Sequence, residues 1–143
     1  GPPHPITTWR VAGGASMVPA DGGVTVDGDS SQFGYQLMSA VVPTPRRTTI
    51  DLRVNIAMDR GRVCVGVLQD SQQRWLLQPG TTAARYTFDN AGARGFIVVI
   101  ANCNAEPRGN EPTRFTVASA DFSMEEGAIY TDQLMDAYAR RPK

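Results

Sequence analysis

The 143 residues suit one ordinary domain, large enough to bury roughly two thirds of its unfolded surface without a metal or disulfide scaffold. Lys+Arg and Asp+Glu both number 14, so the formal net charge is zero, which argues against a nucleic-acid module and a polybasic membrane anchor. Hydrophobic residues at 41% and charged residues at 20% exclude a disordered tail, and no run of about 18 apolar residues offers a membrane span.

The chain opens Gly1-Pro2-Pro3-His4-Pro5 with no Met. Residues 1–5 read as a tag remnant or a disordered start, and the missing Met suggests a fragment of a longer protein. His4 is the one histidine, so a His-based triad, a Cys-His dyad or a multi-histidine metal site has almost nothing to build on.

Residues 6–11, 24–27 and 33–38 are short strand candidates. Among them lies Asp27-Gly28-Asp29-Ser30-Ser31, whose closely spaced oxygens resemble what calcium takes. The EF-hand pattern fails: Gln32 stands where glycine is required and Met38 where the bidentate Glu should be. A polar turn is the ordinary reading. A structural calcium on Asp27 or Asp29 is the alternative, and no other cofactor is expected.

The strongest periodic signal is residues 49–58. Ile50, Leu52, Val54, Ile56 and Met58 alternate with Thr49, Asp51, Arg53 and Asn55, which is a strand with one face in a core and one in water. Asp59-Arg60-Gly61 supplies a turn into residues 62–69, with Val63, Val65 and Val67 on one side. So short a connection predicts an antiparallel hairpin. Residues 74–78 and 84–88 are further strands, separated by Pro79-Gly80. Residues 95–101 are apolar on both faces and should lie centrally, covered on both sides. Residues 104–112 read as a surface loop and 114–122 as the last long strand. Turn signals at this spacing mark an all-β antiparallel sandwich over residues 6–124. Residues 125–143 read as a linker and a short C-terminal helix, on the near-helical spacing of Ile129, Leu134, Met135 and Tyr138.

Cys64 and Cys103 each fall in or at the end of an apolar strand, and no Cys-x-x-Cys occurs. Two buried free thiols are the commoner reading. One disulfide between neighbouring strands is the alternative and would imply an oxidising compartment.

Catalysis has few footholds. Lys143 is the only lysine, no nucleophile elbow, phosphate loop or dinucleotide fingerprint occurs, and nothing sets two carboxylates across a cleft. No catalytic residue is assigned. Sugars offer C–H faces to aromatic rings and hydroxyls to planar polar groups. By that chemistry Trp75 with Arg74, Asn102 and Asn104 at the mouth of the long loop, and Arg53 on the polar strand face are the candidates. Core packing for Trp75 and solvated polar positions for the rest are the plainer readings.

The order is Tyr35-Gln36-Leu37, then Pro43 and Pro45, then the alternating strand 49–58 and Val65-Gly66-Val67-Leu68-Gln69-Asp70. Arg74-Trp75-Leu76, Val98-Val99-Ile100-Ala101-Asn102 and a last strand through Phe115 and Phe122 follow. Over about residues 24–122 this order resembles jelly-roll modules of the galactose-binding-like, carbohydrate-binding kind. Such modules are appended to bacterial glycan-processing and cell-envelope proteins. The resemblance implies a non-catalytic module that takes a glycan or small sugar at loop tips or on a concave sheet face. It also implies a periplasmic, extracellular or envelope setting and contact with another domain of a parent protein, without nucleic acid or membrane insertion. A structural or protein–protein interaction domain with no sugar site is the alternative.

Overall fold

The computed structural model describes residues 9–21, 23–44, 47–72, 74–80, 83–103, 111–124 and 129–130. Among them lie twelve strands and no helix. They are β1 (Arg10–Val11), β2 (Ser16–Ala20), β3 (Gly23–Asp27), β4 (Tyr35–Met38), β5 (Val42–Pro43), β6 (Thr49–Arg60), β7 (Val63–Gln69), β8 (Trp75–Leu77), β9 (Arg85–Asp89), β10 (Gly95–Asn102), β11 (Arg114–Met124) and β12 (Ile129–Tyr130). The front sheet has the order β2-β3-β11-β6-β9, with β12 paired to β11; the back sheet has the order β1-β4-β10-β7-β8, with β5 paired to β10. Every pairing is antiparallel.

The pairs β3·β11, β4·β10, β6·β9 and β7·β8 are nested. A long ribbon folded at the β7–β8 turn and rolled into two sheets gives this order, which is the jelly roll. The all-β sandwich read from the sequence is thus present, with its expected architecture.

Alternation explains the core. Ile50, Leu52 and Val54 of β6 are buried, while Arg53 and Asn55 between and beyond them are exposed. Val63, Val65 and Val67 of β7 and Phe96, Val98 and Ile100 of β10 face them from the back sheet in one cluster. Phe88, Phe96 and Phe122 run edge to face through it, with centroids 5.5 and 5.6 Å apart. Each such side chain contributes about 1.5–3 kcal/mol by leaving water. As expected, β10 is buried on both faces: Ile97, Val99 and Ala101 join Leu68 in a second cluster, against which Tyr35, Met38 and Trp75 pack.

The structure corrects two expectations. The strands on either side of Gly61 do not form a hairpin: β6 pairs with β11 and β9, and β7 with β10 and β8. Alternation fixes which face is buried and not which strand lies alongside. These two strands satisfy it by facing each other across the core, with Gly61 at φ +73° between the sheets. Cys64 and Cys103 are not free thiols but a disulfide, with Cα atoms 5.5 Å apart. Cys64 opposes Ala101 in the β7·β10 ladder, and the Cys103 N–H donates to the Arg62 carbonyl, so the ladder itself brings the two sulfurs together.

β2, β5 and β12 were not expected. Residues 1–5, 104–110, 125–128 and 131–143 lie outside the described residues, and with them the presumed start, most of the expected surface loop and nearly all of the expected helix. Within that helix span, Ile129–Tyr130 is described and pairs as a strand with Phe122 and Ser123. Among the described residues no helix is long and apolar enough to cross a membrane.

Candidate functional site

The residues singled out for binding fall in three places. Asn102, at the end of β10, is buried. Its Nδ2 donates to the Asp29 carbonyl (3.0 Å), the Ser31 carbonyl (2.8 Å) and Asp29 Oδ1 (3.1 Å), while its Oδ1 accepts from Thr113 Oγ1 at 2.7 Å. It braces the β3–β4 loop, and its amide N–H groups are taken up by the protein. Asn104 lies outside the described residues.

Trp75 is half-buried on the outer face of the back sheet, edge-on to Tyr35 with centroids 5.9 Å apart. Gly66 makes room for it: a Cβ there would lie 2.7 Å from Trp75 Cζ3. Arg74 is exposed beside it. The back sheet therefore carries Trp75 and the front sheet Arg53, so these two cannot share one ligand.

Asp27 and Asp29 face protein donors. Arg114 Nη1 donates to Asp27 Oδ1. Asp29 Oδ1 accepts from Ser31 Oγ at 2.6 Å, Gln36 Nε2 at 2.9 Å and the Ser31 N–H at 3.1 Å, and Oδ2 accepts from the Gly14 N–H at 3.1 Å. The Ser31 hydroxyl above all, helped by these N–H groups and opposed by partial burial, holds the Asp29 carboxyl down at about 2. A calcium would need these lone pairs facing it; here they face N–H and O–H groups. The primary amides of Gln36 and Asn102 gather the surrounding carbonyls instead, so the described residues do not fit the ion.

Arg53 belongs to a different arrangement. On the outer face of the front sheet it stands directly opposite Asp121 of β11, and one rung on, Asn55 stands opposite Ser119. Side chains directly opposed on one face lie close enough to act together. A break in register between Val117 and Ser119 marks a bulge in β11 beside this square. Ala83 and Ala84 wall the square where β9 ends. Ala84 is held by Val54 N–H donating to its carbonyl at 3.1 Å, and Ala83 by its N–H donating to Tyr86 Oη at 2.6 Å. With Val54 and Ile56, these residues line an open cleft of about 580 Å³, within the size range that holds a small organic ligand.

The cleft's polar side chains keep their hydrogen-bonding groups open, although the Arg53 charge also acts on Asp51. Arg85, opposite Arg53 on the other side, donates from Nε to Asp51 Oδ1 at 2.8 Å and from Nη2 to Asp51 Oδ2. This bidentate contact, opposed by burial and helped by the Arg85 and Arg53 charges, holds the Asp51 carboxyl below the usual carboxylate range. Among the described residues Arg53, Asn55, Ser119 and Asp121 make no side-chain hydrogen bond. Asp121 can only accept, Arg53 can only donate, and Asn55 and Ser119 can do both. Sequence reading reached Arg53 and Asn55 through alternation, but Asp121 and Ser119 emerge only from the β6·β11 register.

No protein-family model matches the chain. No curated protein matches it. Among solved structures it is similar to the CBM22-1 xylan-binding domain of Xyn10C from Paenibacillus barcinonensis. The TM-score is 0.48 and the identity 9%, over 84% of this chain and 87% of that one. The strand order above, rather than this likeness, defines the jelly roll.

Proposed function

We propose that the domain is a non-catalytic carbohydrate-binding module that holds a small glycan in the front-sheet cleft. The observation that carries this reading is the square of Arg53, Asp121, Asn55 and Ser119, four polar side chains set in register that make no side-chain hydrogen bond among the described residues. Sugar hydroxyls both donate and accept, which suits one cation, one carboxylate, one amide and one hydroxyl. Ala83 and Ala84 offer the apolar contact. Among the described residues the cleft lining has a single carboxylate, whereas glycoside hydrolysis ordinarily uses two, which favours holding over cleaving. The disulfide favours a periplasmic, cell-surface or extracellular setting, where an accessory module of a larger bacterial envelope or glycan-processing protein would work.

Affinity electrophoresis through gels of soluble polysaccharides tests this. Arg53→Ala or Asp121→Ala should weaken retardation on the order of tenfold or more, the loss of one or two charge-assisted hydrogen bonds. Retardation of both variants equal to wild type would contradict it. A protein-interaction domain is the second reading. It is favoured by the β6 edge beyond Val54, where no strand among the described residues continues β9 and a partner strand could add. A mass that rises with concentration, with no response to any polysaccharide, would favour it.

A further inference from the structure

Phe33 is 68% exposed on the β3–β4 loop. The four other phenylalanines and Trp9 are buried, and Tyr35, Trp75 and Tyr86 are half-buried. A phenyl ring in water at a loop tip contributes nothing to the core and leaves its face open to a ligand.

The loop beneath it is braced from both sides. The Gly34 carbonyl accepts from the Asn102 N–H at 2.8 Å and from Gln36 Nε2 at 3.0 Å. The Ser31 carbonyl accepts from Asn102 Nδ2 at 2.8 Å, and the Asp29 N–H donates to Gln36 Oε1 at 2.8 Å. Thus the backbone before and after Phe33 is fastened to two buried amides. The packing leaves no slack: a Cβ on Gly34 would lie 2.0 Å from Ser31 Oγ, and one on Gly28 would lie 2.1 Å from Thr113 Oγ1. A loop backbone braced this way needs little ordering when something binds the side chain it carries.

The surroundings indicate what that something is. A contiguous apolar patch marks a protein-contact surface. Phe33 instead follows Ser30 and Gln32 in the same loop, and neither side chain has a hydrogen-bond partner among the described residues. An exposed aromatic face on a loop that also carries a hydroxyl and an amide suits the mixed surface of a sugar ring. We propose that Phe33 is a stacking platform for one sugar ring, a second contact point built from none of the cleft residues. This rests on reading the domain as a glycan binder but not on the cleft being its site.

The test is an amide chemical-shift titration of the labelled full chain with xylo-, cello-, manno- and galacto-oligosaccharides at millimolar concentration, repeated with Phe33→Ala and Phe33→Trp. Shifts at residues 30–34 are expected with at least one sugar. Phe33→Ala should weaken that binding about fivefold or more, Phe33→Trp should keep it, and neither should change the melting temperature, because the site is exposed. Shifts confined to residues 53–56 and 119–121 would overturn the platform and uphold the cleft. Shifts confined to the loop would uphold the platform and remove the cleft. No shift with any oligosaccharide, or Phe33→Ala binding as wild type, overturns the proposal.

Discussion

Asn102 and Asp29 are at first sight surface-loop residues of the sort that bind ligands. The structure gives both to the protein itself: the Asn102 amide ties Asp29, Ser31 and Thr113 together inside the sandwich end. Asn102→Ala would strip partners from several groups at once, and a buried group left unpaired costs about 1–3 kcal/mol. Urea unfolding of that variant should show a loss of about 2–3 kcal/mol. An unchanged midpoint would mean that water replaces the amide without cost. Asp29 adds a pH dependence. Its carboxyl sits near 2 in the folded protein, below the roughly 3.9 of an unfolded Asp. Its contribution is therefore full above about pH 4 and is lost as pH falls from there toward 2. Asp29→Asn should flatten that part of the stability–pH curve measured by chemical denaturation. The identities of these residues were readable as polar and loop-bound. Their role was not, because it depends on residues 73 and 84 positions apart in the chain meeting: Asn102 with Asp29, and Thr113 with Asp29.

At the scale of elements, alternation and turns located most strands but not their neighbours. β6 shows apolar and polar residues in strict order, and its inward face is the one expected. What no local pattern states is whether β7 lies beside it or opposite it, since both arrangements bury the same valines. β2 escaped notice because Ser16–Ala20 sets Met17 next to Val18 and then Pro19, which breaks the alternation and suits an edge strand. The disulfide depends on the same missing knowledge of neighbours. Closing a loop of 39 residues between β7 and the end of β10 stabilises by about 4 kcal/mol in the chain-entropy account. The double variant Cys64→Ser, Cys103→Ser should lose about 2–4 kcal/mol in guanidinium unfolding, and equal stability would show that the β7·β10 ladder alone fixes this end. Gly66 makes a sharper local test. Gly66→Ala places a methyl against Trp75 and Pro79, so the tryptophan emission should shift to longer wavelength as the ring is pushed toward water, and an unmoved spectrum would place Trp75 elsewhere.

For the whole molecule, the rolled ribbon does two things with one chain. It buries a double-sided core around β10, and it leaves the outer face of the front sheet polar, with β9 covering only part of the β6 edge. The cleft is a product of that partial cover and of cross-strand register. This is why Arg53 was visible in the sequence while its partner Asp121, 68 positions later, was not. Trp75, the most natural sugar-stacking residue by composition, is taken up by packing over Gly66. Phe33, which a search for exposed Trp or Tyr passes over, is the aromatic ring most open to solvent among the described residues. A crystal structure of the domain with an oligosaccharide it binds tests the central claim most directly. The account predicts a sugar ring in the front-sheet cleft, with hydroxyls hydrogen-bonded to Arg53 and Asp121. A ring seated on Trp75 of the back sheet, with the cleft holding only water, would contradict it.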